Sequence, residues 1–100
     1  MLYIHGAGHY HPDNIIDNAF LESLGIETSN EWIIERVGIK ERRTVMDLDE
    51  LKQSHNRDVG QVRTLESSAE MGAKAIDMAL HRAGIQKQDV GMGISATCTP

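Results

Sequence analysis

The sequence predicts an α/β fold, with helices packed on a mixed sheet. The first observation is that short segments rich in glycine and β-branched residues alternate with segments whose apolar residues recur at helical spacing. The second is that the helical segments begin at serine, threonine or asparagine and end at glycine, as helices commonly do. With 100 residues and no internal repeat or linker, residues 1–100 have room for one small domain or part of one.

The first quarter of the chain predicts a strand followed by a short helix. Residues 3–10 form the expected opening strand, and Pro12 makes the turn after it. Asn18 is the expected N-cap of a helix over residues 19–24. This helix ends at Gly25, because glycine tolerates the left-handed backbone of a helix end.

A second helix is indicated by its caps. Thr28 and Glu31 have the spacing of a capping box, in which each side chain satisfies a backbone N–H of the first turn. Ser29 is an alternative cap for the same helix. The helix then runs through residues 32–36 and ends at Gly38.

A strand over residues 39–45 is predicted next, followed by a long polar stretch. Residues 46–63 carry many charged side chains, so they predict a surface loop with one or two helical turns. With its flank, this loop extends over about residues 46–66. The stretch is longer than most connections between elements, which suggests a lid, a contact element or a mobile insertion.

The clearest helix follows the polar stretch, with Ser67 or Ser68 as its cap and Ala83 as its last residue. Gly84 favours a left-handed helix end that folds Ile85 back onto the helix. One face of the helix is mostly alanine, which allows close approach to a neighbour. This face comprises Ala69, Gly72, Ala73, Ile76, Leu80 and Ala83.

The last segment predicts a strand. Residues 86–89 make a turn, and in residues 90–97 apolar side chains alternate with small ones. A strand whose side chains are all small on one face suits close packing under a second layer. We therefore expect the chain to be the front portion of a larger protein, or to depend on a partner for its core.

Composition and charge narrow the class of protein. The chain is 40% hydrophobic and 25% charged, as soluble globular proteins are. A net charge of -5 argues against nucleic-acid binding, which usually needs a basic excess. No apolar run approaches the ~20 residues of a membrane span, and no secretory signal is recognisable, so we expect no membrane partner. A single cysteine fits a reducing compartment, so we expect a cytoplasmic protein.

Three short features are candidate sites, each with a simpler alternative. Gly6-Ala7-Gly8 begins like a dinucleotide-binding turn, but the third glycine is missing, which favours tight packing beside a strand. His9 and His11 would share a strand face near His5, but no third ligand has suitable spacing, so no metal is expected. Cys98 is a candidate nucleophile, but no base is recognisable nearby, which favours a small buried side chain at a strand end.

The segment that begins at Trp32 is the most informative. The only tryptophan is followed one turn later by Arg36, and then by Lys40, Arg42 and Arg43. An exposed indole offers a stacking plane for a base, and arginine pairs well with phosphates. This basic cluster in an acidic chain therefore suggests an anionic partner. The alternative is a tryptophan in the core, with the basic side chains paired to Glu31, Glu35 and Glu41.

Residues 28–43 closely resemble a signature of β-ketoacyl-acyl carrier protein synthase III and its relatives, T-S-[DN]-E-W-I-x-x-R-x-G-I-x-x-R-[RH]. Four further segments resemble motifs of the same family and occur in the same order. They are residues 4–12 (I-x-G-x-G-x-Y-x-P), 18–22 (N-x-x-L-E), 75–85 (A-x-x-x-A-L-x-x-A-G-I) and 94–100 (V-x-A-T-x-T-P).

The resemblance implies a thiolase-like fold, of which this chain would be the N-terminal part of the first α/β half, usually in a homodimer. It implies an acyltransferase of fatty acid biosynthesis that condenses an acyl-CoA primer with malonyl-acyl carrier protein, with loss of CO₂. Acyl-CoA is the substrate, and no cofactor is implied. Two alternatives stay open: a synthase III-like acyltransferase of secondary metabolism, and a catalytically silent partner subunit of the same fold.

The resemblance also implies roles for single residues. Trp32 would stack on the CoA adenine, Thr28 would hydrogen-bond near it, and Arg36 would contact the nucleotide end. The family's Cys-His-Asn triad matches positions beyond Pro100, so no catalytic residue is expected in this chain, and Cys98 does not take that role. The basic residues near Trp32 would help to receive the acidic carrier protein. The polar stretch is longer than we expect for the family, which would alter acyl-chain choice or partner docking.

Overall fold

The computed structural model describes residues 1–55 and 57–98. The chain divides into two compact units. The central unit is formed by residues 11–66, and the terminal unit by residues 1–10 together with residues from 67 onwards. In the part of the chain that the structure describes, no helix is both long enough and apolar enough to cross a membrane.

The central unit begins with two strands and two helices. In chain order they are strand β1 (Asn14–Asp17), helix α1 (Asn18–Ser23), helix α2 (Asn30–Val37) and strand β2 (Glu41–Thr44). The two strands pair antiparallel, with Asn14 opposite Thr44. The strand predicted over residues 39–45 is therefore confirmed in a shorter form. Strand β1 is missing from the prediction, because its four residues, Asn-Ile-Ile-Asp, are too few to show an alternating pattern.

The cap of α1 differs from the predicted one. The carboxylate of Asp17 accepts a hydrogen bond from the backbone N–H of Phe20 at 2.7 Å, so Asp17 is the N-cap. The prediction of Asn18 as the cap is wrong, because Asn18 is the first residue of the helix and its side chain is buried. Gly25 follows the helix with a φ of 76°, the left-handed conformation that glycine adopts at little cost.

The caps of α2 define the helix that carries the predicted site. The Oγ of Ser29 accepts a hydrogen bond from the backbone N–H of Trp32 at 3.1 Å. The alternative cap is thus confirmed, and the prediction of Thr28 as the cap is wrong. Gly38 ends the helix in the left-handed conformation, with a φ of 69°, as predicted.

The polar stretch over residues 46–66 contains helix α3 (Leu48–Ser54) and a short 3₁₀ turn (Val59–Gln61), so the predicted helical turns are confirmed. The two ends of the stretch meet at its base. The backbone N–H of Asp47 donates to the carbonyl of Arg63 at 2.9 Å. The Asp47 carboxylate also caps α3 and lies 2.8 Å from the Arg63 guanidinium. The two ends of the stretch therefore lie side by side.

A small apolar core holds the central unit together. Ile16 of β1, Leu24 at the end of α1 and Leu51 of α3 are buried in one cluster, with half-buried side chains packed around them. Ile33 of α2 is also buried, with 6% of its surface exposed. Burying a side chain of this size stabilises a fold by about 1.5–3 kcal/mol. Each of these four elements is thus anchored by one apolar residue.

The terminal unit is built on helix α4 (Ser68–Ala83). Ser67 caps it through a capping box: its Oγ accepts from the N–H of Glu70 at 3.1 Å, and the Glu70 carboxylate accepts from the N–H of Ser67 at 2.9 Å. Gly84 ends the helix with a φ of 68°. Both boundaries are as predicted, and a 3₁₀ turn follows at Lys87–Asp89.

Gly6 and Gly8 lie directly against α4. A Cβ atom on Gly6 would lie 2.6 Å from the carbonyl oxygen of Ala79, and one on Gly8 would lie 2.6 Å from its nitrogen. Such distances are too short for real Cβ atoms, so only glycine fits at either position. The interpretation that these glycines allow tight packing is confirmed, but they pack against a helix and not beside a strand. The segment is also held by Arg82, which donates to the carbonyl of Ala7 at 3.1 Å.

Two predicted strands are absent from the described residues. Residues 3–10 and 90–97 carry no regular secondary structure, so both strand predictions are wrong for this chain. A strand needs a neighbour for its backbone hydrogen bonds, and in the described ranges the only sheet is the pair β1–β2. Met92 is 79% exposed and Ile94 is 88% exposed, so the apolar face of the last segment is uncovered.

Candidate functional site

Helix α2 presents Trp32 to solvent. Ile33, the next residue, is buried, whereas Trp32 is 54% exposed. Because neighbouring residues on a helix point about 100° apart, the inward side chain of Ile33 leaves the indole at the surface. The alternative interpretation, with Trp32 in the core, is therefore wrong for this chain.

Arg36 lies against the exposed indole. One helical turn separates the two residues, and the Cζ of Arg36 is 5.6 Å from the centroid of the Trp32 ring. This is a cation–π contact, which contributes about 0.5–1 kcal/mol at an exposed site. The contact places a positive charge beside an aromatic face, and a planar, anionic group could use both.

The acidic residues near this pair leave its charge uncompensated. Within the described residues, the basic side chains of the cluster form no ion pair with Glu31, Glu35 or Glu41, contrary to the alternative interpretation. Arg36 therefore faces solvent with its charge available to a ligand. Cations at the C-terminal turn of a helix are also favoured by the helix dipole, which stabilises Arg36 where it lies.

Thr28 is the third predicted residue, and it precedes the cap of α2. It is half-buried, and its backbone N–H donates to the carbonyl of Ile26 at 2.9 Å. In the described part of the chain, no hydrogen bond joins its hydroxyl to the Trp32–Arg36 pair. The structure thus brings Trp32 and Arg36 into contact and places Thr28 at the entry of the same helix.

The other basic residues of the cluster have different surroundings. Lys40 is exposed, and Arg43 is exposed while its guanidinium donates to the carbonyl of Pro12 at 3.0 Å. Arg42 is half-buried, and its guanidinium donates to the Oδ1 of Asn18 at 3.0 Å. Arg42 is thus engaged inside the unit, which leaves Lys40 and Arg43 as the outward charges of β2 and its approach.

Sequence reasoning missed Asn18, which organises the surroundings of α2. Its side chain is buried, with 2% of its surface exposed. Its Nδ2 donates to the Oδ1 of Asn30 and to the carbonyl of Ile39, both at 2.9 Å. The only signal in the sequence was the match of Asn18 to a family motif, because an asparagine at a helix start otherwise indicates a cap.

The remaining candidates form no site in this structure. In residues 1–55 and 57–98, no three His, Cys, Asp or Glu side chains are grouped so as to hold a metal ion. Cys98 is a free, exposed cysteine, so the expectation that its side chain is buried is wrong. Its segment lacks the neighbouring strand that would have covered it.

One carboxylate outside the site has a shifted pKa. The Arg63 guanidinium hydrogen-bonds to Asp47 and lowers the pKa of this carboxyl below its ordinary value of 3.8, with help from the backbone N–H of Glu50. The same contact raises the pKa of Arg63. The pair therefore stays fully charged at neutral pH, at the base of the polar stretch.

Comparison with known proteins shows which proteins this chain resembles. β-Ketoacyl-[acyl-carrier-protein] synthase III of Sulfurovum sp. (strain NBC37-1) is 40% identical to it over 93 residues, which is 93% of this chain and 22% of that protein. The proteins of the same name from Aliarcobacter butzleri (strain RM4018) and Yersinia pseudotuberculosis (serotype O:1b, strain IP 31758) are 38% and 40% identical over similar ranges. No family model matches the chain.

A solved structure agrees with these sequences. The crystal structure of 3-oxoacyl-[acyl-carrier-protein] synthase III from Aquifex aeolicus VF5 superposes with a TM-score of 0.61 and 33% identity, over 82% of this chain and 20% of that one. The fold is therefore thiolase-like, as predicted. The resemblance to the β-ketoacyl-acyl carrier protein synthase III family is confirmed over nearly the whole chain, which spans about 22% of the length of the relatives that it matches.

Proposed function

We propose that this chain provides the CoA-binding entrance of an acyltransferase that acts as a β-ketoacyl-acyl carrier protein synthase III. The reaction is a decarboxylative condensation in fatty acid biosynthesis. Acyl-CoA acylates a cysteine that lies beyond residue 100 and releases CoA, and the acyl group then joins malonyl-acyl carrier protein with loss of CO₂. The observation that carries the proposal is the exposed Trp32 with Arg36 at 5.6 Å on α2, in a chain 40% identical to proteins of that name.

The chemistry of the pair suits the adenosine half of CoA. The adenine ring can stack on the exposed indole, because both are flat and aromatic. The guanidinium of Arg36 can donate two parallel hydrogen bonds to a phosphate. Thr28, at the entry of the same helix, supplies a hydroxyl near the base. Acyl-CoA is thus bound as a substrate, and the proposal requires no cofactor.

The carrier protein is the second proposed partner. Lys40 and Arg43 are exposed and uncompensated by acidic neighbours in ion pairs within the described ranges, so they can receive an acidic surface. We assign no docking role to Arg42, because its guanidinium is engaged with Asn18. No residue of this chain receives a catalytic role. A homodimer and a cytoplasmic location complete the proposal.

Kinetics of Trp32→Leu in the full-length protein test this function. Labelled acyl-CoA and malonyl-acyl carrier protein are supplied, and the condensed product is measured. Stacking on one base contributes about 1–3 kcal/mol, so the KM for acyl-CoA should rise by roughly 5-fold to 150-fold. The melting temperature should change little, because the indole is already 54% exposed.

Val37→Ala is the matched control, since Val37 lies on the same helix and is 61% exposed. It should leave the KM for acyl-CoA unchanged. An unchanged KM in Trp32→Leu together with a large loss of melting temperature would make Trp32 a structural residue. A wild-type protein that forms no carbon–carbon bond from these substrates would overturn the assigned reaction.

A further inference from the structure

We infer that Asn18 is a positioning residue, which holds helix α2 so that Trp32 and Arg36 face a ligand together. The inference rests on the proposed function in so far as that ligand is CoA. Asn18 is the buried polar residue of the described chain, with 2% of its surface exposed. It lies at the first position of α1. Within the described residues its side chain hydrogen-bonds to Asn30, Ile39 and Arg42 and not to Trp32 or Arg36, so we infer that it acts through the helix that carries them.

The first contact of Asn18 is with the start of α2. Its Nδ2 donates to the Oδ1 of Asn30, the first residue of that helix, at 2.9 Å. The backbone N–H of Asn30 also donates to the carboxylate of Glu22, another residue of α1, at 2.6 Å. The start of α2 is thus tied to α1 by two hydrogen bonds, and one of them belongs to Asn18.

The second contact of Asn18 is with the chain just after α2. The helix ends at Gly38, and the carbonyl of the next residue, Ile39, accepts the other hydrogen bond from Nδ2 at 2.9 Å. On its opposite side, the Oδ1 of Asn18 accepts from the guanidinium of Arg42 in β2 at 3.0 Å. One amide therefore fixes the beginning of α2, its end and the following strand.

These bonds are costly to lose, because the amide is buried. Both N–H groups of Nδ2 are used, and removal of the side chain leaves Asn30 and Ile39 without these hydrogen bonds inside the unit. An aspartate at position 18 keeps an acceptor for Arg42 but has no N–H to donate. It would place a carboxylate beside the two oxygens that now accept from Nδ2. Helix α2 would then lose its fixed orientation, while Trp32 and Arg36 stayed chemically intact.

A fixed orientation of α2 raises the affinity of a site that contacts its ligand through two side chains. A ligand that contacts both the indole and the guanidinium binds more tightly when the two groups are already placed, because less freedom is lost on binding. Loss of the Asn18 contacts should therefore weaken ligand binding more than loss of an equivalent hydrogen bond elsewhere in the same unit.

The test compares Asn18→Asp with Asn14→Asp in the full-length protein. Asn14 is a suitable control, because its Nδ2 donates to the carbonyl of Met46 at 3.0 Å, and Met46 lies outside α2. Two properties are measured: the near-ultraviolet circular dichroism of Trp32, the only tryptophan of this chain, and the Kd for CoA. Where the full protein contains other tryptophans, each is first replaced by phenylalanine.

Asn18→Asp should reduce the Trp32 band in the absence of any ligand and raise the Kd for CoA about fivefold or more. Asn14→Asp should leave both unchanged, even where it lowers the melting temperature by a similar amount. Should Asn18→Asp fail to fold, Asn30→Ala takes its place: Asn30 is exposed, and the variant removes one acceptor of the Asn18 amide.

The inference is overturned if Asn18→Asp, or Asn30→Ala in its place, matches Asn14→Asp in both properties. It is also overturned if both variants shift the Trp32 band equally. A wild-type protein that binds no CoA contradicts the proposed function instead, and the ligand-free Trp32 band then still decides whether Asn18 positions the helix.

Discussion

Trp32 and Arg36 form their contact through helical spacing alone. Their separation of one turn is legible in the sequence, so the pairing could be predicted. The exposure of Trp32 could not, because a tryptophan on an amphipathic helix is as readily buried as exposed. In the structure the adjacent residue, Ile33, is buried, and this leaves the side chain of Trp32 exposed. Packing of one side chain thus decided the accessibility of the next.

Asn18 illustrates a limit of local sequence rules. An asparagine before a helix is normally interpreted as a cap, whereas here Asp17 occupies that position and Asn18 turns inward. Its partners, Asn30, Ile39 and Arg42, lie 12 to 24 residues further along the chain. A network of such distant groups has no periodic pattern, so it was visible only in the structure.

Asp47 gives the chain a predictable dependence on pH. Its folded pKa lies below the ordinary value of 3.8, chiefly because the Arg63 guanidinium hydrogen-bonds to it. The stabilisation is therefore complete above that ordinary value and is lost as the pH falls through the lower, folded pKa. Asp47→Asn keeps an acceptor for the cap of α3 but removes the charge.

Urea unfolding of wild type and Asp47→Asn over a series of pH values measures this effect. The wild type should be the more stable near neutral pH, and the difference in unfolding free energy should shrink towards zero at strongly acidic pH. Asp13→Asn, at an exposed residue that forms no ion pair in the described chain, is the control and should show no such convergence. A difference that is independent of pH would exclude the Arg63 contact as its cause.

At the scale of elements, helix boundaries were predicted well and strands poorly. The ends of α2 and α4 are set by serine caps and left-handed glycines, which act within a few residues. The strands predicted over residues 3–10 and 90–97 depend on neighbours far along the chain, which no local rule supplies. Capping serines and helix-ending glycines therefore predicted the helix that carries the candidate site, with Ser29 as its alternative cap.

Alanine substitutions at two glycines of the terminal unit should change the stability of the chain in opposite directions. Gly8→Ala should destabilise the chain by about 1–3 kcal/mol, since overpacking of this kind forces the neighbours apart. The new Cβ would meet the α4 backbone at Ala75 and Ala79. Gly72→Ala should stabilise it by about 0.5–1 kcal/mol, because Gly72 lies inside α4 with open space beside it.

Thermal and urea unfolding, followed by far-ultraviolet circular dichroism, would measure both changes. The two variants introduce the same methyl group in the same unit, so each serves as the control for the other. Equal effects of the same sign would show that the segment of Gly8 does not pack on α4.

At the scale of the whole molecule, much apolar surface is uncovered. The alanine-rich face of α4 lines an open hollow of about 480 Å³, and Ile76 on that face is 58% exposed. Ile4, at 92%, and Ile94, at 88%, are more exposed still. The chain spans about 22% of the length of the relatives it matches. Sequence reasoning correctly expected such a surface from the small side chains of α4 and of the last segment.

The resemblance to the synthase III family could be recognised from the sequence because the motifs of this chain are local and ordered. The match over residues 28–43 lies on α2 and β2, the part of the fold that carries the candidate site. The contacts around that site, in contrast, came from side chains brought together by folding. The motifs thus point to the family and the side-chain contacts to the exposed Trp32–Arg36 pair, and both support the proposed binding of adenosine at α2.

The proposed binding of adenosine at α2 is tested by titrating the protein with CoA and following the fluorescence of Trp32, the only tryptophan in the chain. CoA and ADP should quench the emission saturably, whereas pantetheine, which lacks the adenine and its phosphates, should not. Arg36→Ala should weaken CoA binding and make it less sensitive to salt, because a phosphate contact is lost. Emission that is unchanged by CoA, or quenched equally by pantetheine, would contradict adenosine binding at Trp32.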